Sequence, residues 1–386
     1  MSTCWCSPGW RRRSSNRTGL PTLDPIPQPP PLAWPDSRET LQSSLTEAGL
    51  APASVARLAE QARPALVLET TPCEESRIPL GASKIGGLPD LPDAMAWPER
   101  PPYGDAAERA QNHLGEADRL ASEATRPGSW LTPEHAREAS REQSELAAAV
   151  SSAFPLAFVA QLDLASLSRT PGFPAALPHQ GRLLLFCDYW AKPKPYDPHA
   201  ATGLRLVWDK TPVERLERKA EPAALAQERW SSRFKPAAVV ARPVVTAIPP
   251  SDRGFDAFPH GEEASTFWDE DSEEIRYETW LGRYGTPDGR GGANHQLGGW
   301  PRPLQNGMQA QAQLASHGIF CGTGEAYATT EARRLLRTAD RWRLLLQIGR
   351  DDALGLLPSG ALYILMREHD MRIRAFDRAW MVFQKP

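Results

Sequence analysis

The residues best suited to chemistry lie in two glycine-rich loops and at the ends of two apolar strands. The first loop carries Lys84 and the second carries His295 and Gln296, while Gln161 and Gln347 each end an apolar run. A lysine can contact an anion, and a glutamine amide both donates and accepts hydrogen bonds. An amide cannot act as a general acid or base. These residue types therefore favour binding over catalysis.

Each of these residues also has a purely structural interpretation. An exposed lysine is the ordinary state of that side chain. A buried glutamine that bonds to the backbone of the neighbouring glycine loop needs no ligand. The pairs Gly86-Gly87 and Gly298-Gly299 are typical of a backbone that needs positive φ and close approach. They are not a P-loop, because no following helix begins with Lys-Ser/Thr.

The functional interpretation is that the two loops meet and line a shared groove for a ligand or a partner. The candidate groove consists of Lys84, Gly86, Gly87, Gln161, His295, Gln296, Gly298, Gly299, Trp300 and Gln347.

Other catalytic patterns are missing from the sequence. No Gly-x-Ser-x-Gly motif is present, and Cys187 lies inside an apolar run, which is typical of an inert core thiol. The histidines lack the ligand spacing usual for zinc. Asp163 and Asp188 follow apolar runs, so they either converge as paired carboxylates or form turns. We expect no catalytic residue, no metal and no cofactor.

The two loops belong to a longer repeated pattern. Residues 83–89 match 295–301, residues 158–162 match 344–348, and residues 177–186 match 357–365. Three matches in the same order favour an internal duplication, with repeats at about 77–248 and 286–386.

The elements that must position these loops are mainly strands. Continuous apolar runs joined by short turns predict antiparallel pairing. Helical spacing predicts two short helices within 36–62, and residues 237–248 predict a strand pair or a bent strand in which Pro243 marks an edge or bulge. Residues 105–150 predict an inserted helical hairpin, with Thr132 capping its second helix. The fold class is α+β: two related antiparallel β-sheet units with helices to one side, in one domain over 36–386.

Composition and charge indicate which partners and which location to expect. The 386 residues carry a net charge of −3, which gives no case for a nucleic-acid partner. No apolar stretch reaches the ~18 residues that a membrane span needs, so we expect no membrane partner and a cytoplasmic location. Five scattered cysteines do not form a disulfide framework. The proline-rich residues 1–35 predict either a disordered tail or an upstream start-codon artefact, without a secretory signal.

Seven segments in order resemble a known family. They are SKIGGLPDLP, PLAFVAQLDLASL, LPHQGRLLLF, HQLGGWP, WRLLLQI, LPSGALYILM and FDRAWMVFQ. From about residue 77 to 386 the chain resembles the bacterial YwqG-like proteins, a domain-of-unknown-function family without an established activity. Some members lie near toxin and immunity genes. The chain departs from the family pattern at Gly349-Arg350, where an acidic residue often follows the second glutamine, and in its longer hairpin insertion.

The resemblance and the missing catalytic motifs together favour a non-catalytic protein-binding factor, with an immunity-type protein that neutralises a toxin as its specific form. The alternative is a small-ligand binder or enzyme with its site between the two repeats. A purely structural role is a third hypothesis.

Overall fold

The computed structural model describes residues 34–226, 233–256, 272–284, 295–357 and 360–385. The predicted tail therefore falls outside the described residues except at its last two positions. Trp34 is buried there and stacks on Tyr284 with ring centroids 4.8 Å apart.

The described residues form α-helices, β-strands and short 3-10 turns. The strands are β1 (Arg63–Pro72), β2 (Lys84–Ile85), β3 (Asp90–Pro92), β4 (Glu99–Arg100), β5 (Phe154–Pro155), β6 (Ala157–Asp163), β7 (Arg182–Cys187), β8 (Leu204–Asp209), β9 (Leu216–Arg218), β10 (Ala237–Thr246), β11 (Gln296–Gly298), β12 (Trp342–Ile348), β13 (Ala361–Arg367) and β14 (Trp380–Gln384). The helices are α1 (Arg38–Glu47), α2 (Pro52–Gln61), α3 (Ala106–Glu123), α4 (Pro133–Val150), α5 (Leu164–Leu167), α6 (Glu273–Gly282), α7 (Gln309–Ala315), α8 (Gly324–Ala328), α9 (Thr330–Leu336) and α10 (Glu368–Arg372).

One large antiparallel sheet organises the chain, in the order β14-β13-β12-β11-β1-β10-β2-β6-β7-β8. Two small pairs, β3 with β9 and β4 with β5, lie beside it. Strands β6 and β7 are almost wholly buried, as expected for continuous apolar runs inside a sheet. The predicted α+β class is confirmed.

The matched motifs occupy matched places in this sheet. Lys84 of β2 lies opposite Gln161 of β6, and Gln296 of β11 lies opposite Gln347 of β12. In both β6–β7 and β12–β13, the register shifts at the residue two positions before that glutamine. An internal duplication predicts such correspondences, and the duplication itself stays an inference from the sequence.

The side chains of β1 show how the sheet is buried on both faces. Leu66 and Leu68 belong to one apolar cluster, while Ala65 and Val67 belong to another. This alternation follows from the two-residue period of a strand. Helices α1, α2 and α6 contribute to the second cluster, and α7 and α9 extend the same face beside β12 and β13.

The first cluster joins the two ends of the sheet. It contains apolar residues of β7 and β8 together with those of β13 and β14. Trp208 of β8 lies 6.4 Å from Phe376 between ring centroids, and Trp380 of β14 donates a 2.9 Å hydrogen bond from Nε1 to the carbonyl of Pro195. The sheet therefore curves until each edge strand touches the segment that precedes the other.

Residues 237–246 form one strand rather than a pair. Pro243 lies inside it, opposite Leu66 of β1. On its other side, β10 pairs with β2 only through Ala237 and Ala238, so among the described residues no strand faces Pro243 there. Its missing N–H is tolerated in this edge-like position.

The helical hairpin forms as predicted. Helices α3 and α4 pack against each other, with His113 Nδ1 2.8 Å from Gln143 Oε1 and with Ser140 Oγ donating to the carbonyl of Ala117. Thr132 caps α4 by accepting a hydrogen bond from the N–H of His135.

A buried ion pair anchors the base of this hairpin. Arg100 Nε lies 2.5 Å from Asp188 Oδ2, and the hydroxyl of Tyr103 donates to the same oxygen at 2.8 Å. The other guanidinium nitrogens donate to the carbonyls of Ala149 and Ser152 at the end of α4. The cation thus satisfies orphan carbonyls of the helix and fixes its direction.

No helix within the described ranges is long and apolar enough to cross a membrane.

We expect Asp188→Asn to lower the free energy of unfolding by about 3–5 kcal/mol, because Arg100 would keep its charge in a buried site without an anion. Urea denaturation measures this loss. The control is Glu116→Gln, which removes an exposed pair with Arg119 on α3 and should cost at most about 1 kcal/mol. Equal losses for the two variants would contradict the anchoring role.

Candidate functional site

Lys84 is fully buried in a network of charges at the first glycine loop. Its Nζ lies 3.0 Å from Glu75 Oε1 and 3.1 Å from Asp90 Oδ1. Arg218 Nε lies 2.9 Å from the same oxygen of Asp90. Two cations therefore face two carboxylates. The interpretation of Lys84 as an exposed lysine is wrong, because its side chain is fully buried between Glu75 and Asp90.

Gln161 connects this network to the loop backbone. Its Oε1 accepts a 3.0 Å hydrogen bond from the N–H of Asp90, and its Nε2 donates to Asp90 Oδ2 and to the carbonyl of Ala82, both at 2.9 Å. The amide is thus fully engaged inside the protein. The predicted role in holding the loop backbone is confirmed.

Charge and hydrogen bonding set the ionisation of Asp90. Burial alone would raise its pKa, but the hydrogen bond from Arg218, the charge of Lys84, and hydrogen bonds from Gln161 and the N–H of Gly81 outweigh burial and lower the pKa. Asp90 is therefore a stable anion at neutral pH.

At the second loop, Gln347 makes the same kind of amide contact as Gln161, but the charged residues around it differ. Gln347 Oε1 accepts a 2.9 Å hydrogen bond from the N–H of Arg302, the residue that corresponds to Asp90. Gln296, which corresponds to Lys84, donates from Nε2 to the carbonyls of Gly298 and Trp300. Burial lowers the pKa of Arg302 to about 10. The glutamine contact is thus shared, and no ion-pair network like that of the first loop forms here among the residues that the structure describes.

His295 is engaged through both ring nitrogens. Its Nδ1 accepts from the N–H of Gly349 at 3.2 Å, and its Nε2 lies 3.4 Å from Asp351 Oδ2. Thr70 donates to that carboxylate at 2.9 Å. The hydrogen bond from His295 is the largest cause that lowers the pKa of Asp351. Sequence reasoning missed Asp351, which supplies a carboxylate just after Gly349-Arg350, where the family pattern appeared to be broken.

The paired glycines have the conformation that the sequence predicts. All four adopt positive φ, between 70° and 73°. A Cβ on Gly299 would lie 2.6 Å from both Ala65 Cβ and Thr246 Oγ1, and one on Gly86 would lie 2.3 Å from the carbonyl oxygen of Lys235. The second loop is therefore packed tightly against β1 and β10, and the first against the segment just before β10.

Strand register separates the two loops. Gly298 lies opposite Ala65 near the start of β1, whereas Ile85 lies opposite Ala237, whose partner on β1 is Pro72. Pro72 is seven residues after Ala65, and each residue of a strand advances the chain by ~3.3 Å. Gly298 and Ile85 are therefore about 23 Å apart along the direction of β1. The two glycine pairs therefore lie far apart, and the candidate groove residues fall into two groups with β1 and β10 between them in the sheet. The first group is Lys84, Gly86, Gly87 and Gln161, and the second is His295, Gln296, Gly298, Gly299, Trp300 and Gln347.

Trp300 is held firmly at the second loop. Its Nε1 donates to the carbonyl of Gln61 at 2.7 Å, and the guanidinium carbon of Arg63 lies 3.2 Å from its ring centroid. A cleft beside Arg63, Asp252 and Gln309 has a volume of about 10 Å³, roughly that of one water. Burial raises the pKa of Asp252. In this conformation the cleft has no room for a metabolite.

The remaining residues considered for catalysis do not come together in one site. Asp163 caps α5 by accepting hydrogen bonds from the N–H groups of Ala165 and Ser166, whereas Asp188 pairs with Arg100. Cys187 is buried in β7, and burial raises its thiol pKa. Within the described ranges, no three His, Cys, Asp or Glu side chains are grouped to hold a metal ion.

Residues 83–384 match the model of a family described as a domain of unknown function, DUF1963. The chain belongs to the DUF1963 family. No curated protein matches the chain. The matched segment contains both glycine loops and the hairpin, while α1, α2 and β1 precede it.

Gly299→Ala should destabilise the DUF1963 chain more than Gly355→Ala does. Both glycines have φ near +70°, so both variants incur ~1–2 kcal/mol of backbone strain. A Cβ on Gly355 meets nothing within 4 Å, whereas one on Gly299 forces β1 or β10 to move at a further cost of about 1–3 kcal/mol. Urea denaturation compares the two, and equal losses would show that the close approach is unimportant.

Asp90 should contribute to the loss of stability in acid. Because folding lowers its pKa below the ordinary 3.8, its contribution is present above that value and is lost as pH falls through the lower folded-state pKa. We expect the free energy of unfolding to fall below about pH 4 in the native chain and to fall less steeply in Asp90→Asn.

The matched control for this pH series is Asp377→Asn, which alters an exposed carboxylate without an ion pair to any described residue. Urea denaturation between about pH 3 and pH 6 should give this control the native slope. A slope in Asp90→Asn as steep as in the native chain would contradict the role assigned to Asp90.

Proposed function

We propose that this DUF1963 protein is a non-catalytic protein-binding protein that contacts its partner with the tip of the α3–α4 hairpin. The observation that supports this most directly is Trp130, which is 82% exposed in the connection between the two helices. Tryptophan is rarely this exposed, and it is enriched among the residues that dominate protein–protein binding energy.

The tip is locally ordered without the help of Trp130. Ser129 Oγ donates to Glu123 Oε2 at 2.8 Å, and it accepts from the N–H of Leu131. Arg126 also pairs with Glu123, at 3.0 Å. Because these contacts build the turn, the indole ring is presented to solvent by the backbone and has no role in the turn itself.

The base of the hairpin is fixed in a second place besides the Arg100–Asp188 pair. Arg109 lies 2.5 Å from Asp197 and 2.7 Å from Asp105 of its own first turn. A contact residue on a rigid support loses less conformational entropy on binding than one on a free loop. This supports a role of the hairpin as a pre-organised arm.

The alternative, a small-ligand site between the two glycine loops, has less support. The two glycine pairs lie at opposite ends of β1, and the amides of Gln161 and Gln347 both accept hydrogen bonds within the protein. The resemblance to the YwqG-like family adds a specific hypothesis about the partner, namely that it is a toxin.

A photo-crosslinking amino acid at position 130, introduced into the chain in its native host, tests the proposal. We expect a discrete protein adduct that is not formed from position 320, where Phe320 is exposed elsewhere on the surface. The adduct is identified by mass spectrometry, and its identity decides whether the partner is a toxin.

The captured partner is then purified and titrated by calorimetry. Trp130→Ala should weaken its binding at least about tenfold, corresponding to the loss of a hot-spot residue, and Phe320→Ala should leave it unchanged. No adduct above the position-320 control, or equal affinity of the Trp130→Ala variant, would refute the assignment.

A further inference from the structure

Two neighbouring clefts around α10 share Arg372 and carry an excess of arginines. The first cleft, of about 360 Å³, lies between β12 and α10, and the second, of about 490 Å³, lies between α10 and the loop at 175–180. We call this surface the arginine groove. Its arginines are Arg341, Arg343, Arg367, Arg372, Arg374 and Arg378.

The carboxylates in the groove cannot balance this charge. Glu368 pairs with Arg372 and lies 3.9 Å from Arg343. Asp370 lies 3.0 Å from Arg378 and 3.7 Å from Arg367.

Two groove arginines have no ion pair at all within the part of the chain that the structure describes. These are Arg341 and Arg374. Even with the exposed Asp340 and Asp377 on adjacent turns, the arginines outnumber the acids. The groove is therefore positive although the whole chain is not.

The guanidinium group of Arg367 is held in place before any ligand arrives. Arg367 donates to Gln313 Oε1 at 2.9 Å and lies 4.4 Å over the ring of Trp342. Burial lowers the pKa of Arg367, Asp370 opposes that effect, and the like charge of Arg378 adds to it. A pre-oriented guanidinium loses little freedom when it pairs with an anion.

Arg374 occupies an unusual backbone position. Its φ is +64°, just after the end of α10, where glycine is the usual residue. Its guanidinium carbon lies 4.8 Å from the ring centroid of Trp208. An arginine here carries backbone strain that a glycine would avoid, which points to a use for its side chain.

We propose that the arginine groove binds an acidic segment of a protein partner. The pairing of Glu368 with Arg343 and Arg372 shows that a carboxylate fits among these side chains. A bidentate pair between arginine and carboxylate gives both orientation and affinity. Two adjoining clefts suit an extended peptide better than a single compact anion.

Nucleic acid fits this surface less well. Single strands bind through open aromatic faces on which bases stack. Here the ring of Trp342 is buried and covered by Arg367, and Arg374 lies over that of Trp208. This binding site is independent of Trp130, so the two proposals can fail separately.

Fluorescence anisotropy with a labelled peptide of about ten residues, rich in glutamate, tests the proposal on the full chain. We expect saturable binding that weakens at least tenfold as salt rises from about 50 to 300 mM. The glutamine version of the peptide and a ten-nucleotide oligo-dT should bind at least tenfold more weakly than the acidic peptide.

A double variant, Arg341→Gln with Arg372→Gln, should weaken the acidic peptide at least tenfold. Both side chains are exposed, so its thermal melt by circular dichroism should match that of the native chain. The control is Arg119→Gln with Arg141→Gln on the hairpin, two exposed arginines whose loss should leave binding unchanged. No binding of the acidic peptide, equal binding of the glutamine peptide, tighter binding of oligo-dT, or equal weakening by the control variant would each overturn the proposal.

Discussion

The pairing of β1 with β10 is the contact on which the rest of the structure depends. All ten residues of β1 face β10, and β1 also pairs with β11 along its other edge. The strands β2, β6, β7 and β8 lie on one side of this pair and β11 to β14 on the other. Because β1 buries side chains in clusters on both faces, it joins the two halves by backbone hydrogen bonds and by apolar packing at once.

Much of the fold follows from local signals in the sequence. Continuous apolar runs predicted the antiparallel strands, and a threonine cap followed by proline predicted the start of α4. The hydrogen bonds of Gln161 and Gln347 also followed, because a buried amide must find backbone partners close to its own strand end. The signals for the strands and for the start of α4 lie within a few residues of each element, whereas the glutamines bond to loop backbone 45 to 79 positions away.

What the sequence did not predict depends on distant segments. Lys84 meets Glu75 and Asp90 from nearby in the chain, but Arg218, which completes the network, comes from β9, and only the pairing of β9 with β3 brings it there. The separation of the two glycine loops requires the direction and register of β1, which no motif encodes. The arginine groove combines the turn before β12, the helix α10 and the loop at 175–180. Because these segments are far apart in the sequence, the net charge of the whole chain does not reveal the positive charge of the groove.

The short pair β4–β5 has a consequence for how this protein can vary. Arg100 lies directly opposite Phe154, so the two ends of the segment that contains the hairpin are adjacent. Paired residues in antiparallel strands lie only about 5 Å apart, whatever the length of chain between them. The length of the hairpin therefore does not affect how the strands of the large sheet are placed. Such a junction lets the arm lengthen, shorten or change its tip while the body of the protein keeps its shape.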